Sequence, residues 1–546
     1  MEKHFGAMLD MSRNGVMKPT KVKEYVDYLS KSGYNTLMLY TEDTMKVDGE
    51  PYFGHLRGAY TYDEIRDIDA YCSKKGIELI PCIQTLAHLN QIFKWKEYWN
   101  ICDVVDILLL DDERTYTLID NIFRTLANDF TSRNVHIGMD EAFLVGLGKY
   151  MRKHGIVDRF ELLSRHLDRV CEIAEKYGFK PIIWSDMFIH LLNDKKYRTD
   201  DGAIDYKSAR EKINKNVGLV YWDYSGKDKD KYEKNIIVHK NLSDNVWFAG
   251  GTWTWNSFSP ANKYATSALA ASMSECKKQG IDNVFITVWG DDGAECSQFA
   301  CLPALFYAKK IYDGVENEET IKKKFYDTFK IAYDDMMSLD LADTPYLSEE
   351  EFFACDDIAK RENPSKYILY SDIFDGITDT RTDSSWCDVY AKLAEKYERL
   401  SHGEFAYIFD VQSKLCALLA LKCGIGDKLR SAYKNKDRNK LAELSAQIDE
   451  IYIRTEKFYH AHKKRWYTEN KPNGFDIQQI RLGGLMLRLK SCKEDVDDFV
   501  CGKLDSIPEL EEKVLDCFGK LDAAFPVLLH YPNIVSPNAM HHTYYG

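Results

Sequence analysis

The sequence predicts an α/β fold, a (β/α)8 barrel over residues 1–311, followed by a mostly α-helical domain over 312–546. Three observations carry this expectation. The first 310 or so residues hold eight short apolar runs with amphipathic stretches between most of them, the rhythm of a repeated strand–helix unit. Nearly every run ends in polar or aromatic residues, which a barrel would gather on one rim. Beyond about 311 the apolar runs stop and helical patterns dominate. A doubly wound open sheet, the alternative, would usually carry a Gly-rich phosphate turn after its first strand, and MLDMSRNGV stands there instead.

In order, the runs are HFGAMLD (4–10), YNTLMLY (34–40), IELIPCI (77–83), NVHIGMD (134–140), KPIIWSD (180–186), VGLVYWD (217–223), VWFAGG (246–251) and NVFITVWG (283–290). Helical patterns fall at 21–33, 62–76, 162–178 and 265–280. In the first of these, Val22, Tyr25, Val26 and Leu29 share one face. Several end in lysines followed by Gly, a helix stop. The strand ends carry Asp10–Arg13, Tyr40–Asp43, Gln84–His88, Asp140–Glu141, Trp184–Asp186, Trp222–Tyr224, Trp253–Trp255 and Trp289–Glu295. Past the boundary, 341–365 reads as an acidic loop, and 413–429 and 439–466 as helices whose heptad-like spacing is core packing or a partner contact.

At 546 residues, the chain exceeds what one core normally supports, so two domains are expected. A net charge of −13 argues against nucleic acid, which calls for basic clusters. No apolar run after MEKHFGAMLD is long enough for a signal peptide, and none reaches the ~18 residues of a membrane span. The 14 cysteines include no CxxC pair, and Cys82 and Cys416 fall on apolar faces. These features read as buried free thiols in a reducing cytoplasm. No zinc pattern is present, since His136 and Asp140, four apart on a strand, are not a helical ligand pair. No cofactor or metal is expected.

The most informative residues are Asp140 and Glu141, side by side where the fourth run ends. Side chains alternate along a strand, but that alternation breaks where strand gives way to loop, so both carboxyls can reach one pocket. Two close carboxyls push their pKa values apart, which suits acid/base work on a glycosidic bond. In isolation, the pair reads more readily as exposed loop acids than as catalysts, and the rest of the chain reverses that preference.

Several motifs agree in order along the chain. They are MLDMSRN (8–14), RGAYTYDEI (57–65), IPCIQTLAHLN (80–90), HIGMDEAF (136–143), IIWSD (182–186), YWDY (221–224) and TVWGDDGAECS (287–297). Together they resemble glycoside hydrolase family twenty, the β-N-acetylhexosaminidases, in the branch whose barrel starts at the N-terminus. HIGMDE looks like that family's H-x-G-x-D-E signature. RWYTENKPNGFDIQQIRLGG (465–484) extends the resemblance into the helical region.

The resemblance implies exo-hydrolysis of terminal β-linked GlcNAc or GalNAc with retention. The substrate's own 2-acetamido group would act as nucleophile through an oxazolinium ion. Glu141 would be the acid/base, and Asp140 would hold the acetamide N–H and stabilise developing positive charge. Trp184, Trp222 and Trp289 would wall the N-acetyl group and underlie the ring. Arg13 would bind the 3- and 4-hydroxyls, and Asp291 the 4- and 6-hydroxyls. Glu295 would assist or stand as a surface carboxylate. His88 and Asp43 would orient the catalytic acid, with His136 as buried support. The family's Tyr after strand seven is missing. GGTWTWNSF offers Trp253 and Trp255 instead, so an indole N–H or the Tyr224 hydroxyl would meet the acetamide oxygen, with Tyr224 favoured.

Two other readings remain at this point. One is a retaining β-glycosidase using two protein carboxylates on a non-acetamido sugar. The other is a non-catalytic amino-sugar binding protein. The expected partner is an oligosaccharide or glycoside with a terminal N-acetylhexosamine. GlcNAc and GalNAc are both compatible with Arg13 and Asp291. The helical domain is expected to form a homodimer contact, with Trp466 and the 469–475 loop approaching a barrel mouth.

Overall fold

The computed structural model describes residues 3–192, 203–315, 317–355 and 362–516, with Gly519 and Phe525. The rest of the helical domain expected up to 546 lies outside the described residues.

Eight parallel strands close into a barrel. They are β1 (His4–Asp10), β2 (Thr36–Tyr40), β3 (Glu78–Cys82), β4 (Asn134–His136), β5 (Lys180–Trp184), β6 (Gly218–Trp222), β7 (Val246–Thr252) and β8 (Asn283–Val288). Each lies inside the run expected of it or, for β7, passes it by one residue. Closure comes from β1, which pairs with β2 from Gly6↔Thr36 and with β8 from His4↔Asn283. The strands are buried on both faces, hence their continuous apolar character. β3 and β4 share only the pair Cys82↔His136. The backbone leaves sheet geometry early at this seam, and the acid pair emerges there.

The helices start and stop on local signals. Pro19–Ser32 opens with proline and ends at Gly33 in the left-handed region. Tyr62–Lys74 opens on a reciprocal cap between Thr61 and Glu64. Asp158 caps Arg159–Lys176 through the Glu161 amide. The acidic stretch expected to be loop contains a helix, Glu349–Ala354. Its glutamates occupy the first turn, where the helix dipole favours negative charge, and Ser348 caps it.

The C-terminal region is built on Trp386–Leu400, Ala406–Lys422, Arg438–Glu469 and Phe475–Val500. The stretch expected as one helix over 413–429 breaks at Gly424, which has φ 69° and starts a second helix, Ile425–Lys434. The apolar core runs without interruption from the barrel into these helices. Phe258, after β7, packs edge-on against Phe458 at 5.1 Å between ring centres. The described cysteines are all free thiols, and Cys501 is the exposed one. No described helix is long and apolar enough to cross a membrane.

Candidate active site

The C-terminal ends of the strands surround a cavity of about 420 Å³ lined by Arg13, Asp140, Glu141, Trp184, Trp222, Asp223, Tyr224, Ser225, Trp253, Trp255, Trp289 and Asp291. Residues from the ends of five strands, β1, β4, β5, β6 and β8, and from the segment after β7 therefore converge on one mouth, where barrel active sites form.

The acid pair is delivered by unusual backbone. After β4, Gly138, Met139 and Glu141 all have positive φ, at 72°, 71° and 51°. For the two non-glycine residues this conformation costs about 1–3 kcal/mol each, a cost typical of functional sites. It breaks strand alternation, so Asp140 and Glu141 both reach the cavity. Gly138 is required for a second reason: a Cβ there would lie 2.0 Å from Gln84 Oε1. Gln84, at the end of β3, accepts from the Met139 amide at 3.1 Å and donates to Asp140 Oδ1 at 2.7 Å. Gly138→Ala is expected to displace Gln84 and to cost about 1–2 kcal/mol from the left-handed backbone alone. Moving Asp140 by about 1 Å should lower kcat/KM about 10²-fold. Thermal denaturation and steady-state kinetics would read the two effects separately.

The proton affinities of the two carboxyls are pushed in opposite directions. Burial opposes charge on Asp140, but His88 Nε2, 3.2 Å from Oδ2, and the Gln84 amide overcome it and pull the pKa down to about 2. The His88–Asp140 contact is an ion pair rather than an aligned hydrogen bond. His88, despite burial, is pushed up to about 10 by Asp140 and stays a cation. Glu141 is raised above the ordinary carboxyl value by burial and then by the Asp140 charge. Its side chain remains half exposed, and its backbone N–H is held by Asp186 Oδ2 at 2.9 Å. Asp186 itself, raised to about 7 by burial and then Asp140, adds a further acid beside the pair. The site therefore combines a fixed anion with a neighbour that tends to keep its proton.

Aromatic rings form the floor and walls. Trp184 is 1% exposed and lies over His136 at 4.4 Å. His136 is fully buried and kept neutral, its pKa lowered to about 3 by burial. Its Nδ1 accepts from the Gly138 amide at 3.2 Å, so it supports the turn that carries the acids. Trp222 stacks on Tyr224 at 5.1 Å, and Trp253 packs at a tilt against Trp255 at 4.3 Å. The Trp253 indole N–H is committed to the Tyr224 carbonyl at 2.7 Å, so it is not available as a donor to a ligand. Burial pushes the Tyr224 hydroxyl up and holds it as a phenol that keeps its proton, with the Trp289 indole and the Thr287 side chain beside it. Its ring fits because Gly251 has no side chain, where a Cβ would lie 2.6 Å from Tyr224 Cδ1.

At the opposite side, Asp10 organises the loop after β1. Its Oδ1 accepts from the Ser12 amide and hydroxyl at 2.9 and 2.8 Å. Its Oδ2 meets Arg13 Nη1 at 3.3 Å and the Gly290 amide at 3.0 Å, tying the Arg13 loop to the loop of Asp291. The Arg13 guanidinium sits 4.8 Å from the Tyr40 ring centre and 4.9 Å from that of Trp289, with Asp291 Oδ1 4.0 Å from Nε.

Two expected site residues stand elsewhere. Asp43 pairs with Arg57 Nε at 3.4 Å instead of His88. Its neighbour Glu42, at φ 43°, turns inward and accepts from Tyr40 at 3.0 Å near Arg13. Glu42 is raised to about 7, chiefly by burial. Glu295 does not line the cavity. Its carboxylate is buried and held by Lys366, by Arg481 at 2.8 Å and by the Tyr370 hydroxyl at 3.1 Å. Gln84, Asp10, Glu42, Asp186 and Trp255 all stand at or just past the ends of the apolar runs, the one signal in the sequence that points to them.

With this geometry in place, two family models match the chain: "Glycosyl hydrolase family 20, catalytic domain" over residues 3–235 and "Glycoside Hydrolase 20C C-terminal domain" over residues 335–525. The chain belongs to glycoside hydrolase family 20. Among curated relatives of this family-20 chain, Hexosaminidase D of Bos taurus is 24% identical over 237 residues, 41% of this chain and 62% of the relative. A probable beta-hexosaminidase of Arthroderma benhamiae is 24% identical over 251 residues, 40% of this chain and 38% of the relative. The match thus spans less than two thirds of either relative's length. A solved family-20 structure, an exo beta-N-acetylglucosaminidase from Vibrio harveyi in complex with N-acetylglucosamine, matches at a TM-score of 0.47 and 15% identity. That match covers 62% of this chain and 58% of that one.

Proposed function

We propose that this family-20 chain is an exo-acting β-N-acetylhexosaminidase. It would remove terminal, non-reducing β-linked GlcNAc or GalNAc with retention, through an oxazolinium ion formed by the substrate's own acetamide. The observation that carries this reading is the adjacent pair that the left-handed turn after β4 brings onto one wall of the cavity, with Asp140 pulled down to about 2 and Glu141 pushed up. Substrate assistance needs one fixed anion and one proton carrier on the same wall.

In this reading Asp140 accepts the acetamide N–H and faces the positive charge that spreads onto the ring and acetamide. The Tyr224 hydroxyl donates to the acetamide oxygen and holds it beneath the anomeric carbon. That oxygen attacks as Glu141 passes its proton to the leaving oxygen. Glu141, now a carboxylate, removes a proton from the incoming water, which opens the oxazolinium from the face the aglycone left. Trp184, Trp222 and Trp289 stack against the apolar C–H faces of the sugar and exclude water. Arg13 and Asp291 bind the hydroxyls at the far edge. The free state of every described cysteine supports a reducing compartment, the cytoplasm.

A thiazoline that mimics the oxazoline is expected to inhibit far more tightly than the product sugar binds, at least about 10²-fold, as transition-state and intermediate mimics do. Aryl N-acetyl-β-glucosaminides or galactosaminides should be hydrolysed, and aryl β-glucosides should not. Insensitivity to the thiazoline together with turnover of the glucoside would favour the two-carboxylate scheme instead. Binding of GlcNAc without any turnover would mark a non-catalytic binder.

A further inference from the structure

The loop after β8 carries Trp289 and Asp291 into the cavity, yet the loop is held largely from outside the barrel. Four consecutive carbonyls, those of residues 292 to 295, accept hydrogen bonds from side chains of the two long C-terminal helices. Arg481 donates to the Asp292 carbonyl at 2.7 Å and Gln478 to that of Gly293 at 3.0 Å. Arg465 donates to those of Ala294 and Glu295 at 3.0 and 2.8 Å. Side chains of the same loop enter a buried ionic cluster: Asp292 meets Lys366 at 2.5 Å and Arg481 at 3.0 Å, and Glu295 meets both bases. Lys366 and Gln478 are completely buried.

The turn between these helices also holds the other edge of the cavity. The Lys471 amide donates to the Val16 carbonyl at 2.8 Å, and the Lys18 amide to that of Glu469 at 2.9 Å. Gly474 lies so close to the Arg13 loop that a Cβ would stand 2.4 Å from the Asn14 carbonyl oxygen. Trp466, fully buried, packs with Phe475 against Ala294 of the same chain. Trp466 and the 469–475 loop therefore approach the chain's own barrel mouth.

We infer that the helical domain is a positioning device for the far edge of the sugar. Its helix–turn–helix clamps the loops of Arg13 and Asp291, and Arg481, supported by Gln478 and Arg465, is a positioning residue for Asp291. This rests on the hexosaminidase reading above. The side chain of Asp291 is 40% exposed and stands 4.0 Å from Arg13 Nε, at the cavity edge. The loop backbone that carries it is held by donors about 170–190 residues further along the chain. A carboxylate displaced by a fraction of an ångström loses its bond to a 4- or 6-hydroxyl while leaving the anomeric centre untouched. The clamp therefore governs recognition of those hydroxyls.

The test compares enzyme variants with substrate deletions. Arg481→Gln and Gln478→Ala would be assayed on an aryl N-acetyl-β-glucosaminide or galactosaminide, whichever the parent hydrolyses, and on its 4-deoxy and 6-deoxy analogues. We expect KM for the full sugar to rise about tenfold for Arg481→Gln and about threefold for Gln478→Ala, with kcat changed less than about twofold. On at least one deoxy analogue each variant should match the parent within about twofold, because the contact is already missing. Equal losses on all three substrates, no loss in a folded variant, or a parent indifferent to both hydroxyls would overturn the inference. Gln478→Ala carries the same comparison if Arg481→Gln does not fold. A parent that hydrolyses neither fully hydroxylated glycoside would instead sink the hexosaminidase reading, and this inference with it.

Discussion

Glu141→Gln is expected to lower kcat/KM about 10²–10⁴-fold on glycosides with alkyl or sugar leaving groups, the range for loss of a general acid. On dinitrophenyl N-acetylhexosaminides, whose leaving group departs without a proton, the loss in kcat/KM should stay below about tenfold. The contrast matters because, in the proposed mechanism, kcat/KM reports the first irreversible step, formation of the oxazolinium, and only the poor leaving group needs protonation there. The basic limb of the pH profile should also disappear from the variant, since glutamine has no proton to lose. A uniform loss on both classes of substrate would reassign Glu141 to a role other than proton donor. The raised pKa of Glu141 motivates the prediction: burial first, then the neighbouring Asp140 charge, keep the proton on Glu141 to higher pH than an exposed glutamate would.

Asp140→Asn is expected to cost about 10²–10³-fold in kcat/KM, comparable to removing one preorganised electrostatic contact at a developing charge. Asparagine can still accept from an acetamide N–H but presents no charge to the oxazolinium. The same substitution makes a second, signed prediction. The Asp140 anion raises the Glu141 pKa, so neutralising it lets Glu141 lose its proton at lower pH. Because the acid must enter the first step protonated, the basic limb of kcat/KM moves toward lower pH. Full pH profiles of parent and variant would show it, and a limb that stayed put or moved upward would mean that Asp140 does not set the acid's proton affinity. In the parent, Asp140 remains charged down to about pH 2, so it contributes no acid limb above that point.

The barrel was legible because its signals are local and repeated. Each run is apolar throughout, as a strand covered on both faces must be, and each ends in residues a core would not keep without partners. The acid pair was legible for the same reason. The partners of those acids were harder to read. Gln84 looks like any strand-end amide until closure of the barrel sets β3 beside β4 and its amide meets Asp140. Glu42 and Asp43 are adjacent and chemically alike, and only the left-handed turn at Glu42 decides which of them faces Arg13 and which faces Arg57. Tyr224 was favoured only slightly over an indole N–H of Trp253 or Trp255, and spacing alone does not reveal that the Trp253 N–H is committed to the Tyr224 carbonyl. Glu295, four residues after Asp291, read as an assisting residue or a surface carboxylate, and it is neither. It turns instead to Lys366 and Arg481, whose distance along the chain leaves no periodic or spacing signal.

The sequence by itself determined the strand rhythm, the aromatic rim and the two catalytic candidates, because apolar periodicity, aromatic strand ends and paired carboxyls can each be read within a short stretch of chain. Tertiary structure decided which groups tune and hold them. Charge, burial and hydrogen-bond geometry arise between segments that meet only when the barrel closes and the helices fold back over its mouth. An ion pair such as His88 with Asp140, or a clamp such as Arg481 on the Asp291 loop, exists only as a distance in space.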